Sequence, residues 1–296
     1  MFIKGADSYL SYGVEPSFGT APAQLEMIDF GSETFRHDKA FQDFTPISEF
    51  SRGKQLLSSV SNISGSVNLP YGLGLVDDFW SVLLRSYWET NVITNRNIQS
   101  SLYLEKGNAE LSYYTGYSGC VLDGLNISLD GGYATFDTDL LFKDEILDTQ
   151  VNSSFGSVVD PTDLFTSVSG YLQIDGTTIG TISNFSLNIN NNYRMLTGPS
   201  SSTANEFIAG DLIIGGSFSL YISDNTQYSK FINEDEFQLT VKLNELQNTS
   251  NYHIIDLSNV KISESGINFD KRSKTLNNIT FKAIPSGSMI NVTRSA

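Results

Sequence analysis

Two glycine-containing segments place residues at spacings that could support catalysis. Gly72-Leu73-Gly74 precedes a predicted helix, as in a dinucleotide-binding loop, but Asp77 occupies the third glycine position, where its charge would repel a pyrophosphate. The segment Gly116-Tyr117-Ser118-Gly119-Cys120 begins like a nucleophile elbow and lacks the final glycine. Its general base would have to be His37 or His253, the two histidines of the chain. We therefore predict a turn at the first segment and a hairpin or bulge at the second.

Acidic residues suggest two further kinds of chemistry, calcium binding and glycoside hydrolysis. Asp130, Asp137 and Asp139 carry suitable ligands, but their spacing matches no EF-hand loop. Asp137 and Asp139 alternate along a predicted strand, which places both on one solvated face. A pair of catalytic carboxylates stays open, because the folded chain sets the distance between them. The sequence thus predicts a protein that is not an enzyme and that needs no metal and no cofactor.

The charge and cysteine content of the 296-residue chain exclude several classes of function. Its 18 basic and 33 acidic residues give a net charge of -15, which disfavours a surface that grips nucleic-acid phosphates or anionic lipids. Cys120 is the single cysteine, so an internal disulfide framework and multi-cysteine metal sites are excluded. The first residues lack the apolar core of a signal peptide, and the apolar runs are far shorter than the ~18 residues that span a membrane. We expect a soluble protein made in a reducing cytoplasm.

Alternating apolar and polar residues predict a chain built mainly from β-strands. The period of two is clear at residues 185–189 and 237–243, because successive strand side chains point to opposite faces of a sheet. Asp-Gly pairs such as Asp175-Gly176 separate these runs and favour hairpin turns. Two helices are predicted, a longer one over 75–88 and a shorter one over 224–232.

An internal repeat relates the two halves of the chain. Gly65-Ser66-Val67 precedes the first helix, and Gly216-Ser217-Phe218 precedes the second. Trp80 follows Gly65 at the same distance at which Phe231 follows Gly216, so each helix carries a large aromatic residue at one place. Three further pairs of segments match: 8–20 with 170–181, 125–128 with 260–263, and 140–143 with 279–282. The alternative is chance, since strand-rich sequences match one another at a period of two.

The repeat predicts two tandem modules, residues 1–150 and residues 160–296. The join falls near 148–166, a stretch rich in serine, aspartate and glycine, as linkers tend to be. Each module contains a long connection, at about 36–54 in the first and at about 196–210 in the second. Connections of this length without regular structure are uncommon in compact domains and usually have a task.

The order of these segments resembles that of the tail tube (major tail) proteins of long-tailed bacteriophages. Residues 12–22 read YGVEPSFGTAP and resemble the start that is common in this family. The other matches follow in the order of the family, at the Gly65 strand and its helix, 113–117, 125–129, 174–176, 179–192, 215–218 with Tyr228 and Phe231, and 281–283. Each motif alone is a weak strand-and-turn pattern, whereas their succession covers nearly the whole chain.

The resemblance implies a mainly β, phage tail-tube fold with two tandem β-sandwich or barrel modules, each with one flanking helix. Sheets of neighbouring modules then join into an inner barrel, which leaves no free strand edge. Four aromatic residues are expected to pack the helices against the sheets: Phe79, Trp80, Tyr228 and Phe231. Ring-to-ring contacts are expected in the two long connections, with the candidates Lys39, Phe41, Phe44, Pro46, Pro199 and Asn205.

The function that the resemblance implies is structural. The protein would polymerise as stacked rings into a hollow tail tube, a conduit for DNA ejection into the host. Its partners would be itself, in rings of three chains or alternatively six, other phage tail proteins, and DNA that passes without specific binding. An acidic wall suits such a conduit, because it repels phosphates. The expected location is the virion tail, after synthesis in the bacterial host cytoplasm.

Two other classes of function remain as alternatives. A carbohydrate-binding β-sandwich or glycosidase would expose tryptophan and tyrosine platforms, whereas Trp80 and Trp88 both fall on the predicted first helix. The other alternative is a different tail component with the same fold, such as a terminator or baseplate protein.

Overall fold

Strands account for 62% of the protein and helices for 7% in the computed structural model. This composition confirms the prediction of a mainly-β fold. The structure describes residues 8–44, 55–108, 113–130, 132–147, 153–154, 164–179, 184–198, 202–221, 226–268, 276–285 and 287–295. Within this part of the chain, neither helix has the length and apolar sequence that crossing a bilayer requires.

In the described part of the first half there are eleven strands and one helix. In chain order these are β1 (Ser8–Val14), β2 (Leu25–Ile28), β3 (Ser32–Glu33), β4 (Arg36–Phe44), β5 (Gln55–Pro70), α1 (Asp77–Leu83), β6 (Val92–Thr94), β7 (Leu102–Asn108), β8 (Tyr113–Asp130), β9 (Thr135–Phe142), β10 (Asp144–Leu147) and β11 (Ser153–Ser154).

Among the residues that the structure describes in the second half, there are ten strands and one helix. These are β12 (Phe165–Ile174), β13 (Thr177–Thr178), β14 (Asn184–Asn190), β15 (Arg194–Leu196), β16 (Glu206–Ile208), β17 (Ile213–Tyr221), α2 (Thr226–Asn233), β18 (Phe237–Glu245), β19 (Tyr252–Asn268), β20 (Leu276–Ala283) and β21 (Ile290–Arg294). Most of the predicted join, 148–166, lies outside the described residues.

The two halves arrange their strands in the same spatial order. The first half runs β1–β7–β8–β9–β5–β4, and the second half runs β12–β18–β19–β20–β17–β14, with antiparallel neighbours throughout. Helix α1 follows β5 along the chain and packs against β8, and α2 follows β17 and packs against β19. Within these two series of six strands, each strand therefore has the same neighbours as its counterpart in the other half.

Irregularities in the ladders occur at matching places. The β7–β8 register shifts between Leu102 and Leu104, and the β18–β19 register shifts between Phe237 and Leu239. A second shift follows on the next pair in each half, after Leu122 on β8 and after Ile262 on β19. Bulges bend a strand locally, so both halves bend their longest strand at the same point.

The Gly-Ser marker of the repeat has one structural cause in both halves. Gly65 lies opposite Leu140, and Gly216 lies opposite Phe281, on corresponding strands. A Cβ on Gly65 would come within 2.9 Å of the backbone oxygen of Thr34. A Cβ on Gly216 would meet the backbone oxygen of Ser186 in the same way. Only glycine leaves room for the neighbouring backbone at these positions.

Two other segment matches of the repeat are out of register. The ladders place Leu122 at the position of Ile262, so Val260 corresponds to Cys120 rather than to residue 125. Likewise Leu140 corresponds to Phe281 rather than to Ile279. These two segment matches were wrong because an alternating sequence resembles itself at every shift of two residues. A bulge adds one residue to a strand and so changes which residues face the core.

A direct joint between the halves makes one continuous sheet. Strand β14 pairs antiparallel with the second part of β8, from Asn184 opposite Asp130 to Asn190 opposite Gly124. The resulting eight-stranded sheet runs β4–β5–β9–β8–β14–β17–β20–β19. One cluster of buried apolar residues extends through both halves beneath it.

Both long connections contain strands, which corrects the prediction that they lack regular structure. The described part of 36–54 is β4, which pairs with β5. From Lys39 opposite Ser61 to Phe44 opposite Gln55, the two strands extend beyond the end of β9 as a two-stranded arm. The connection at 196–210 contains β16, which forms a hairpin with β15. The two features lie at the same end of the sheet, since the Ser61 N–H donates to the Ser202 oxygen at 2.7 Å.

Candidate functional site

The eight-stranded sheet has one face covered with small and polar side chains. One row crosses the sheet through directly paired residues: Asn68, Asp137, Asn126, Asn188, Gly215 and Lys282. A parallel row contains Thr135, Ser128, Ser186, Ser217, Thr280 and Glu264. These side chains are exposed or half-buried. We call this surface the polar face.

The opposite face of the same strands forms the core. Val67, Ile127, Leu187 and Phe218 alternate with residues of the polar face, and each is at most 1% exposed. Because paired residues on neighbouring strands share a face, the alternation of each strand adds up to an amphipathic sheet. The sheet therefore has one side packed and one side available to solvent across its width.

The polar face carries more negative charge in the first half. Asp137 accepts hydrogen bonds from Asn68 and from the Thr135 hydroxyl. Burial, together with the nearby carboxylates of Asp123 and Asp137, raises the pKa of Asp139 above its ordinary value. In the second half, Lys282 and Lys261 lie directly opposite each other.

The chemistry of this face suits weak contact with a polyanion. Asparagine, serine and threonine hydrogen-bond to water, and the paired rows contain no aromatic ring on which a base could stack. The two rows contain one cation that could bind phosphate, Lys282. Among the described residues, no three histidine, cysteine, aspartate or glutamate side chains come together as metal ligands.

In the described part of the chain, the sheet ends in two strands that each pair with another strand on one side only. Strands β3 and β4 pair with β5 on one side, and beyond Ile262 strand β19 pairs with β20. No other strand within the described part of the chain lies against either outer side. An unpaired strand is a template for pairing with another chain.

Residues 5–283 match the protein family described as phage tail tube protein. The chain belongs to the phage tail tube protein family. No curated protein matches the chain. Membership identifies a structural protein of the phage tail, located in the virion, that assembles with itself and with other tail proteins. A structural family of this kind suggests a non-enzymatic role.

The tail tube segment at 12–22 is organised around Glu15, a residue to which sequence reasoning assigned no role. Its carboxylate accepts hydrogen bonds from the Gly19 N–H at 2.7 Å, the Gly119 N–H at 2.8 Å and the Ser101 hydroxyl at 2.6 Å. Gly19 and Gly119 both have positive φ angles, 78° and 62°. The 116–120 segment is thus part of a bulged strand, and Glu15 holds it at Gly119.

The aromatic residues expected at the helix–sheet contacts differ in burial. Phe79 and Trp80 on α1 are fully buried. On α2, Phe231 packs against the core in part, but Tyr228 is 40% exposed, contrary to the expectation for this residue. Helix α1 is also shorter than predicted and ends before Trp88.

The two tryptophans offer no open platform of the kind that sugar-binding proteins use. Trp80 is fully buried. Trp88 donates its indole N–H to the Asp77 backbone oxygen at 3.1 Å, and the Arg294 guanidinium covers its ring at 4.6 Å. This placement argues against the carbohydrate-binding alternative.

The candidate stacking residues lie at the arm and at the hairpin. Lys39 and Phe41 are exposed on β4, Phe41 by 56%. Phe44 ends β4, and its side chain lies outside the described residues, as do Pro46 and Pro199. Asn205 is exposed beside β16 and donates its backbone N–H to Leu196 at 2.8 Å. The contact between the arm and the hairpin joins segments that are far apart in the sequence. It could not be predicted from the sequence, because it forms only in the folded sheet.

Proposed function

We propose that the protein polymerises as stacked rings into the hollow tail tube through which DNA is ejected into the host. The observation that carries this proposal is the amphipathic eight-stranded sheet with an unpaired strand at each end. Copies that join edge to edge would form a closed barrel, and a barrel has no free edges. The polar face would line the bore.

We further propose that residues 1–150 and 160–296 are tandem tail tube modules. Support comes from the shared strand order, the matching bulges and the equivalent Gly65 and Gly216. Each module supplies four strands to the continuous sheet. Three chains would then supply six modules, in a ring with true three-fold and approximate six-fold symmetry.

The width of such a barrel is compatible with DNA passage. Three times eight strands, spaced by ~4.8 Å, give a diameter of at least about 37 Å between backbones, and strand tilt widens it. Small side chains on the polar face reduce this width little, which leaves room for a duplex. The carboxylates of Asp137 and Asp139 would help to keep phosphates from adhering to the wall.

The alternative ring contains six chains, with one half of each in the barrel and the other half outside it. The β8–β14 joint favours three chains, because it places strands of both halves in the same sheet. In either ring, the arm and the hairpin would contact the next ring at the end of the sheet where they lie.

Electron cryomicroscopy of the purified protein tests the proposal directly. We expect long hollow tubes with three-fold rings, and native mass spectrometry of dissociated rings should give three chains. Six chains per ring would contradict the trimer. Single rings that never stack would favour a terminator or baseplate component, and dispersed monomers would contradict a tube function.

A further inference from the structure

We infer that the β8–β14 joint inside one chain is repeated between chains, with β3 and β4 of one chain pairing antiparallel with β19 of the next. In this register Arg36 lies opposite Gly266 of a second copy. The inference rests on the proposed ring and adds to it the strands and the register of closure.

The internal joint supplies the template. On β14, Asn188 lies opposite Asn126 of β8, and Asn190 lies opposite Gly124. The next residue, Asn191, donates its N–H to Asp123 at 2.7 Å. Hydrogen-bonded and non-hydrogen-bonded pairs alternate along an antiparallel ladder, so Asn188 and Asn126 form a non-hydrogen-bonded pair with close Cα atoms.

The ladders identify the counterpart of each strand in this joint. Asn188 pairs with Gly215 on β17, and Arg36 pairs with Ser64 on β5. Since Gly65 and Gly216 hold equivalent positions, Arg36 is the counterpart of Asn188. The bulges equate Leu122 with Ile262 in the same way, which makes Gly266 the counterpart of Asn126.

Both counterparts lie on unpaired edges in the described part of the chain. Ser32, Thr34 and Arg36 are exposed, while Phe35 between them points into the core like its counterpart Leu187. Gly266 is also exposed, and β19 has a strand on one side only at this point. Helix α2 packs against β19 as α1 packs against β8, where it leaves the joint with β14 open.

Joining these edges gives a closed ring rather than a pair. The internal joint links the long bulged strand of one module to the early strand of the next, so it is a head-to-tail contact. Repeating such a contact at the free ends generates a ring when the rotation closes. Backbone hydrogen bonds carry the joint, so side chains on the two edges can differ.

Charged residues on the seam are compatible with this register. Asp38 would lie opposite Glu264, which alone is unfavourable. Arg36 pairs with Asp38 at 3.1 Å and would lie beside Glu264, so its guanidinium offsets the repulsion. In the single chain, Glu33 accepts the Phe35 N–H at 2.9 Å. This bond blunts the free edge until a partner strand replaces it.

Disulfide trapping tests the register. The variant Arg36→Cys/Gly266→Cys places one thiol on each edge, and a Cβ at Gly266 meets no atom within 4 Å. The close Cα pair of a non-hydrogen-bonded position suits a disulfide. Assembled under reducing conditions and then oxidised, its tubes should give covalent dimers and trimers on a denaturing gel. Cys120 is buried and stays outside the reaction.

Two matched variants complete the design. Ser32→Cys/Gly266→Cys shifts the register by four residues and should not cross-link. Asn126→Cys/Asn188→Cys places the equivalent pair of cysteines on the internal joint. Its disulfide should form within one chain, so free thiols should be lost while the protein still runs as a monomer on the denaturing gel.

The outcomes separate this inference from the proposed function. Tubes whose Arg36→Cys/Gly266→Cys chains stay uncross-linked, or whose shifted pair cross-links instead, would overturn the register while the tube function stands. A series of cross-linked gel bands that ends at six chains would support the register and contradict the three-chain ring. If the unmodified protein forms neither rings nor tubes, both proposals fail.

Discussion

Buried polar side chains tie the two halves of the chain together around His253. The His253 ring is fully buried, and its Nδ1 lies 2.9 Å from the Tyr71 hydroxyl. Its Nε2 lies 3.8 Å from Asp77, which in turn pairs with Arg294. Burial, with a smaller contribution from Arg294, lowers the pKa of His253 to about 3. His253, one of the two histidines that a nucleophile elbow would have required as its base, is a neutral part of the junction.

This junction makes stability depend on pH. A histidine whose pKa is about 3 when folded and ~6.5 when unfolded stabilises the protein fully above pH 6.5 and loses that contribution as the pH falls towards 3. Urea unfolding of unassembled protein should therefore show a loss of about 2 kcal/mol from His253 between pH 7 and pH 5. The raised pKa of Asp77 acts in the opposite direction, so the measurement is the difference between the wild type and His253→Gln. Equal pH slopes for the two proteins would contradict this account.

The aromatic residues of the two helices should contribute unequally to stability. Trp80→Ala removes a fully buried side chain and should cost ~3–5 kcal/mol through lost burial and a cavity. Tyr228→Ala removes a side chain that is 40% exposed and should cost less than ~1 kcal/mol. Thermal melts of both variants measure the difference, and similar melting temperatures would show that α2 is packed as tightly as α1.

Among the elements, the β4–β5 arm is joined to the 196–210 connection by the hydrogen bond from the Ser61 N–H to the Ser202 oxygen. Its pairing continues from Lys39 opposite Ser61 to Phe44 opposite Gln55, beyond the end of β9. An extended hairpin of this kind loses conformational entropy on folding, which contacts with neighbouring groups must offset. In the proposed tube, a contact between the arm and another copy would help to offset this loss.

Shortening the arm should separate folding from tube assembly. Replacing residues 40–60 with an Asn-Gly turn joins Lys39 to Ser61, which already face each other, through the residues that a two-residue hairpin favours. We expect an unchanged circular dichroism spectrum and melting temperature, and rings that no longer stack, in electron micrographs. A Phe41→Ser variant, which keeps the arm but removes an exposed apolar ring, is the milder companion. Tubes of normal length from the shortened protein would exclude the arm from ring stacking.

At the scale of the whole molecule, the two faces of the sheet have different roles. The buried face builds a core common to both halves, while the other face carries rows of small polar residues with carboxylates concentrated in the first half. In the proposed tube this face would line the bore, and its carboxylates would repel the phosphates of a passing duplex. The charge of the wall should then control DNA retention.

Reversing the charge on this face should make the tube retain DNA. Asn188→Lys/Asp139→Lys changes two exposed positions on the polar face, and tubes of this variant should hold nuclease-protected DNA that is released as salt rises. Gln247→Lys/Asp235→Lys makes the same change in charge at exposed positions away from that face. Equal retention by the two variants would show that the polar face does not line the bore.

Local patterns in the amino-acid sequence were sufficient for much of the fold. Alternation predicted strands such as β14 and β18, because the faces of a strand follow directly from residue order. The Gly65 and Gly216 match was in register because a steric requirement, contact with the next backbone, selects glycine at one position only. The family resemblance rested on the same local signals, and the match over residues 5–283 confirms it.

The tertiary structure decided what depends on residues far apart in the chain. The β8–β14 joint is made of backbone hydrogen bonds, which any pair of alternating strands can form. No side-chain pattern in the sequence therefore predicts that these two strands pair. Glu15 gains its role only when Gly19, Gly119 and Ser101 meet around it. Alternation identifies strands and their faces, whereas bulges, strand partners and open edges emerge only when the whole sheet is assembled.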